Sequence, residues 1–212
     1  MRALVDFGLM PASMGCTTEE ADQDLFYPMA WGIDESGLLS VLNPPPLEDV
    51  YVGSHNNPQV SSLWRRHHES FLGFAQEFCS AARVYEIGGG NGFLGQLAQE
   101  RWSGLEAWEI IEPLLPSEPD PRLRWHEGWF PRDAGDEPKE LILATHVLEH
   151  APAPYKFLSD CNSALEFGGV LAISWPDMPQ MAARTDLNML NFEHLHYLSP
   201  ETVSRYLASA GF

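Results

Sequence analysis

Basic residues are scarce in this sequence: 12 Lys and Arg stand against 30 Asp and Glu, a formal charge of −18. A surface of that sign repels nucleic-acid phosphates and anionic membranes, so neither is an expected partner. A local Arg or Lys can still receive an anionic small molecule. Cysteine is scarce too. Cys16, Cys79 and Cys161 lie far apart, form no C-x-x-C pair and read as free thiols of a reducing compartment. No apolar run approaches the roughly 20 residues that span a bilayer. The opening Met1-Arg2-Ala3-Leu4-Val5-Asp6 is too short in apolar run for a signal peptide. The cytoplasm is the expected compartment.

What is present is apolar content and glycine. The 212 residues are 44% apolar, enough for one globular domain with a small appendage. Residues 1–59 carry turn signals without clear periodicity: Pro11, Pro28, Gly32, the Asp34-Glu35-Ser36-Gly37 run and Pro44-Pro45-Pro46. Two short apolar pieces, residues 26–31 and 38–42, predict a hairpin across Asp34 to Gly37. This region is expected to be a small irregular cap. The main domain is expected over 60–212. It opens with a helix from Val60 to Phe78, with Trp64, Phe71, Ala75 and Phe78 on one stripe and Leu63 and Phe74 beside it.

The chain is organised around Val84-Tyr85-Glu86-Ile87-Gly88-Gly89-Gly90-Asn91-Gly92. An apolar strand over 82–87 runs into four glycines in five residues. A helix follows, with Leu94, Leu97 and Ala98 at helical spacing. Strand, glycine turn and helix make the first half of a nucleotide-binding βαβ unit. Glycine lets a ligand approach the backbone, and the helix start offers free N–H groups. The acidic Glu86 at the strand end disfavours a pyrophosphate and favours a ligand with a cationic amine.

The next strands follow in turn. Residues 105–111 read as a second strand ending at Glu112-Pro113, so a carboxylate at its tip can accept from both ribose hydroxyls. Glu109 lies inside that strand and points sideways. Residues 113–121 are proline-rich and short of helix formers. A third strand over 123–126 leads to Glu127-Gly128-Trp129-Phe130. A fourth over 140–145 leads to His146-Val147-Leu148-Glu149-His150. A helix from Pro154 to Glu166 is capped by Phe167-Gly168-Gly169, a fifth strand covers 170–175, and Ser199-Pro200-Glu201 opens a last helix to Ala210.

The pattern Glu86-x-Gly88-x-Gly90-x-Gly92, the acidic Glu112 and the H-V-L-E-H segment together resemble class I methyltransferases that use S-adenosylmethionine. The resemblance covers about residues 50–212. It implies an α/β fold, a Rossmann-like parallel sheet flanked by helices. The family sheet has seven strands, so the last two are expected to be absent here, with an unfinished edge through which a second chain could pair. It implies cofactor contacts from Glu86, Gly88, Gly89, Gly90, Asn91, Gly92, Glu112, Pro113, Thr145 and His146. Trp129 or Phe130 would stack on adenine with Glu127 accepting from its amine, and Ser54 and His55 would line the methionine end. Residues 32–38 also resemble the N-terminal zinc module of sugar C-methyltransferases with the thiolates gone, so no zinc is expected.

The implied reaction is in-line attack of a nucleophile on the sulfonium methyl, which needs orientation and a base but no metal. The acceptor is expected to be a small molecule, such as a nucleotide-linked sugar; whether O, N or C is methylated stays open. Base candidates are His194, paired with Glu193 as in sugar C-methyltransferases, and His146, because imidazole titrates near neutrality. His150 reads as structural. The paired histidines lie on separate elements, so no metal site is expected from them. An NAD-dependent oxidoreductase would need a G-x-x-G-x-x-G motif near the N-terminus and a Tyr-x-x-x-Lys pair, and neither is present. A methyltransferase fold that binds without turnover is the remaining alternative.

Overall fold

A computed structural model describes residues 1–12, 24–50, 61–186 and 189–212. In chain order the elements are β1 (Arg2–Pro11), β2 (Phe26–Ile33), β3 (Leu39–Leu42), α1 (Leu47–Val50), α2 (Ser62–Phe78), β4 (Arg83–Ile87), α3 (Phe93–Arg101), β5 (Ala107–Glu112), β6 (Arg124–Glu127), β7 (Lys139–Thr145), α4 (Pro154–Ala164), β8 (Leu165–Ser174), α5 (Met178–Ala183), β9 (His196–Tyr197) and α6 (Pro200–Ala210). They divide into two compact units, each discontinuous in sequence.

The first unit gathers Met1–Val52, Glu149–Pro154 and Trp175–Ser209. Its antiparallel sheet has the order β1-β2-β3-β9. The β2–β3 hairpin forms where the turn signals place it: Asp34 Oδ1 accepts the Ser36 and Leu38 N–H groups, and Gly37 takes φ +87°. The expectation of an irregular cap is corrected by β1, which pairs with β2 along its length. The sequence hid it because two register shifts, one spanning Gly8 at φ +78°, break the alternation by which a strand is recognised. A core of Met29, Trp31, Val41, Val50, Met178, Met189, Phe192 and Tyr197 fills this unit. Residues 175–209 therefore pack with the N-terminal segment, although a linear reading assigns them to the main domain. Burial of Met178, Met189 and Phe192 accounts for that grouping.

The second unit comprises Gly53–Leu148, Tyr155–Ser174 and Ala210–Phe212. Its five strands are all parallel, in the order β6-β5-β4-β7-β8. Both faces are covered, so the strands read as continuous apolar runs. Val84, Ile110, Leu141 and Leu143 pack with Leu94, Leu97 and Ala98 of α3 and with Phe71, Leu72 and Ala75 of α2. Ser61 caps α2 by accepting the Leu63 N–H. The expected stripe on this helix needs correction. Leu63, Phe74 and Phe78 are exposed, and Leu72 is buried in their place. No helix forms between β5 and β6, as the prolines there dictate.

One boundary also moves. The helix expected to reach Glu166 ends at Ala164, and β8 starts at Leu165. Residues 166–169 then bulge, because Lys139 pairs with Leu165 while Leu141 pairs with Val170. Gly168 at φ +81° makes that excursion, so the F-G-G segment works as a strand bulge. Gly211 and Phe212 form no strand. Sheet order reverses between β4 and β7, where both chains leave at their carboxyl ends. In open parallel sheets that is where ligands bind.

Candidate functional site

The glycine loop leaves β4 at its carboxyl end. Gly88 donates its N–H to the Ile111 carbonyl at 2.9 Å and takes φ +70°. Gly90 and Gly92 also lie at positive φ, and Gly92 is the N-cap of α3. A Cβ on Gly89 would sit 2.7 Å from Ile110 Cγ2 and 3.1 Å from Glu86 Oε2. The loop is thus pressed onto the sheet edge, and its backbone is the surface that a ligand meets.

Glu112 closes one side of the loop. Its Oε2 accepts the Gly90 N–H at 2.9 Å and its Oε1 accepts the Leu114 N–H at 3.2 Å. The carboxylate at the tip of β5 is therefore held in one orientation beside the glycines. Pro113, next to it, is half-buried. Glu109 takes another course, as expected from inside the strand: it pairs with Arg124 and His126.

Glu86 is buried beneath the loop. Its Oε2 accepts Trp108 Nε1–H at 2.7 Å. Burial raises its carboxyl to about 7, with the Trp108 bond opposing and the nearby Glu112 charge adding to the rise. Asn91 Oδ1 accepts the Phe93 N–H, while its buried Nδ2 has no hydrogen-bond partner among the described residues. The same holds for Thr145 Oγ1 at the tip of β7. Orphaned polar atoms in a native fold are uncommon and call for a partner.

His146 follows Thr145 at φ +56°, its N–H donated to the Ser174 carbonyl. Its ring meets Trp64 edge-on at 4.7 Å and His67 at 5.0 Å between centroids. His67 and His68 face inward from α2 and were missed in the sequence. Their signal was their spacing from Trp64 and Phe71 on one helical face, masked because His counts as polar. Burial, and then the charge of His146, lower the pKa of His67; burial above all takes that of His68 down to about 4. At neutral pH both rings are uncharged, each with one donor and one acceptor nitrogen.

After β6, Trp129 is about half exposed and Phe130 packs edge-on against Phe157 of α4 at 5.7 Å. Trp125, which the sequence reading left as a strand residue, is the aromatic that touches the loop: a Cβ on Gly92 would lie 2.8 Å from its ring. Ser54 and His55 lie outside the described residues. Glu193 and His194 belong to the first unit, where His194 meets His150 at 5.1 Å between ring centroids.

Residues 59–212 match the family model described as a methyltransferase domain. The chain belongs to that family. Solved structures agree on the fold. Human N-acetylserotonin methyltransferase, determined in complex with S-adenosylmethionine, superposes with a TM-score of 0.57 at 21% identity over 71% of this chain and 47% of its own length. An S-adenosylmethionine-dependent methyltransferase from Archaeoglobus fulgidus gives 0.57 at 18% identity, over 70% of this chain and 68% of its own. One from Mesorhizobium loti gives 0.52 at 14%, over 72% and 82%. This chain thus spans about half the length of the human enzyme. No curated protein sequence matches it. The cofactor of the family fold is S-adenosylmethionine. The residues of this methyltransferase domain fit it: the loop leaves no room for a Cβ, and Asn91 Nδ2 and Thr145 Oγ1 await partners. No helix among the described residues is long and apolar enough to cross a membrane.

Proposed function

We propose that this protein transfers a methyl group from S-adenosylmethionine to a small-molecule acceptor, with nucleotide-linked sugars as the first class to assay. The observation that carries the reading is the Glu112 carboxylate, fixed by the Gly90 N–H at the edge of the glycine loop. It stands where a ribose would present two hydroxyls, and a carboxylate accepts from both. The bound cofactor supplies an activated methyl on a positive sulfur. The chain's part is to orient the acceptor and take its proton. We assign the proton to the His146 imidazole, with neutral His67 beside it as a second acceptor. Glu193 and His194 are the other pair the sequence offers for that role.

The test is calorimetric titration with S-adenosylhomocysteine, with NAD as comparison. Selective one-to-one binding of the first supports the cofactor assignment. Binding of NAD alone would replace it with a dinucleotide reading.

Glu86 adds a pH signature. An ammonium group is held by the ionised carboxylate, and a proton competes for it below about pH 7. The fraction ionised climbs from about a tenth at pH 6 to about nine-tenths at pH 8, so S-adenosylhomocysteine affinity should rise about tenfold between them. Glu86→Gln should flatten that slope. An unchanged slope in the variant would place the titrating group elsewhere.

A further inference from the structure

The first unit holds a second constellation, formed by Glu149, His150 and His194. One ligand atom from each lies within 4.8 Å of the others. Glu149 is completely buried, while the two imidazoles are half-buried. His150 Nε2 is 3.8 Å from Glu149 Oε1, within ion-pair distance when the imidazole is protonated, and the His150 and His194 rings meet edge to face. His150 and His194, for which the sequence offered no reason to expect a metal site, come together, whereas His196 turns to the Ser40 hydroxyl at 2.8 Å.

We propose that these three residues bind a divalent cation of borderline softness, with Zn²⁺ as its type. Two imidazoles and one carboxylate are a ligand set that zinc accepts with a position left open, for water or another oxygen ligand. Magnesium and calcium prefer oxygen ligands alone. Zinc bonds of about 2.0–2.2 Å put tetrahedral ligands roughly 3.4 Å apart. Binding would require side-chain rotation to close the ligand atoms, now within 4.8 Å of one another, to that value. The backbone is already arranged for it. The His196 N–H donates to the Glu149 carbonyl at 3.2 Å, tying the two contributing segments together.

Asn191 holds His194 from behind. Its Oδ1 accepts the His194 N–H at 2.8 Å, and its Nδ2 lies 3.2 Å from His194 Nδ1. In that contact the amide donates and Nδ1 accepts; coordination through Nε2 moves the ring proton to Nδ1, where the Asn191 amide opposes it and a carboxylate would accept it. Asn191→Asp supplies that acceptor. It should therefore tighten zinc binding, an effect that a purely structural Asn191 would not give.

The full chain, stripped with a chelator, is titrated with Zn²⁺ against a chromophoric competitor, with Mg²⁺ as comparison. No cofactor is added, so the outcome is independent of the methyl-transfer reading. One equivalent of zinc should bind with a Kd on the order of 1 μM or tighter, and raise the melting temperature by linkage. His194→Ala and the near-isosteric Glu149→Gln should each weaken binding at least about tenfold, with circular dichroism verifying the fold. Absence of zinc binding by the folded wild type at about 100 times that concentration overturns the proposal. So does stoichiometric binding that survives both substitutions, since other histidines would then hold the ion.

Discussion

Replacing Glu112 with alanine should lower the affinity for S-adenosylhomocysteine about a hundredfold. A hydrogen bond to a charged group contributes roughly 1.5–3 kcal/mol, and the carboxylate offers two of them to a ribose. The lower bound, about 3 kcal/mol, is two factors of ten. The substitution also removes the acceptor of the Gly90 N–H and the Leu114 N–H, so the loop loses its brace together with the ligand contact. Glu112→Gln separates the two effects. It retains a carbonyl oxygen for Gly90 but has no charge, and should cost only about tenfold, one charge-assisted bond's worth. Calorimetry on both variants, beside thermal melts, makes the comparison. An affinity in the alanine variant within about threefold of wild type, well under one such bond, would remove Glu112 from the site.

The second large effect is on stability. Gly92→Ala should destabilise the protein by about 3 kcal/mol. Two costs add. A left-handed conformation costs a residue with a Cβ about 1–2 kcal/mol, and Gly92 is held at φ +78°. Overpacking costs about 1–3 kcal/mol more: the new methyl would stand 2.8 Å from Trp125 Cζ2 and 2.9 Å from Leu123 Cδ1. Neither neighbour can withdraw easily, because Leu123 is buried and the Trp125 Nε1–H is donated to the Asp120 carbonyl. A chain of this size loses about 2–4 °C of melting temperature per kcal/mol, so the midpoint should fall roughly 6–12 °C. Gly104 is the control. It has φ +83° but open space around its Cβ, so Gly104→Ala isolates the backbone cost of about 1–2 kcal/mol. If the two variants melt together, the contact with Trp125 carries no weight.

The nucleotide-binding half was legible because its signals are local. Residues 84–95 write strand, turn and helix start within a dozen positions, and Glu112 falls at the tip of the next strand, where hydrogen bonding to Gly90 places it beside the loop. Parallel strands covered on both faces read as plain apolar runs, and β4, β5, β6 and β7 each appear within two residues of their expected starts. The helix faces were less legible. Periodicity could not say which of the nearby Leu72 and Phe74 turns inward, nor that His67 would lie against His146, because those choices depend on what packs opposite.

Non-local pairings were invisible. β1 has an irregular register, so its alternation is broken, and β9 is only two residues long and exists as a strand through its partner β3. Glu149-His150 and His194 carry no mutual signal along the chain; the Glu149 carbonyl and the His196 N–H bring their segments together. Glu86 was recognised as acidic at a strand end, but its raised pKa follows from burial beside Trp108, which no spacing encodes. By itself the sequence determined the parallel sheet, the glycine loop and its acidic partner, since each follows from backbone sterics and hydrophobic period within a short window. Only the tertiary structure decided which histidines meet and which carboxylates lose water, because proximity and desolvation belong to residues that the fold gathers from distant parts of the chain.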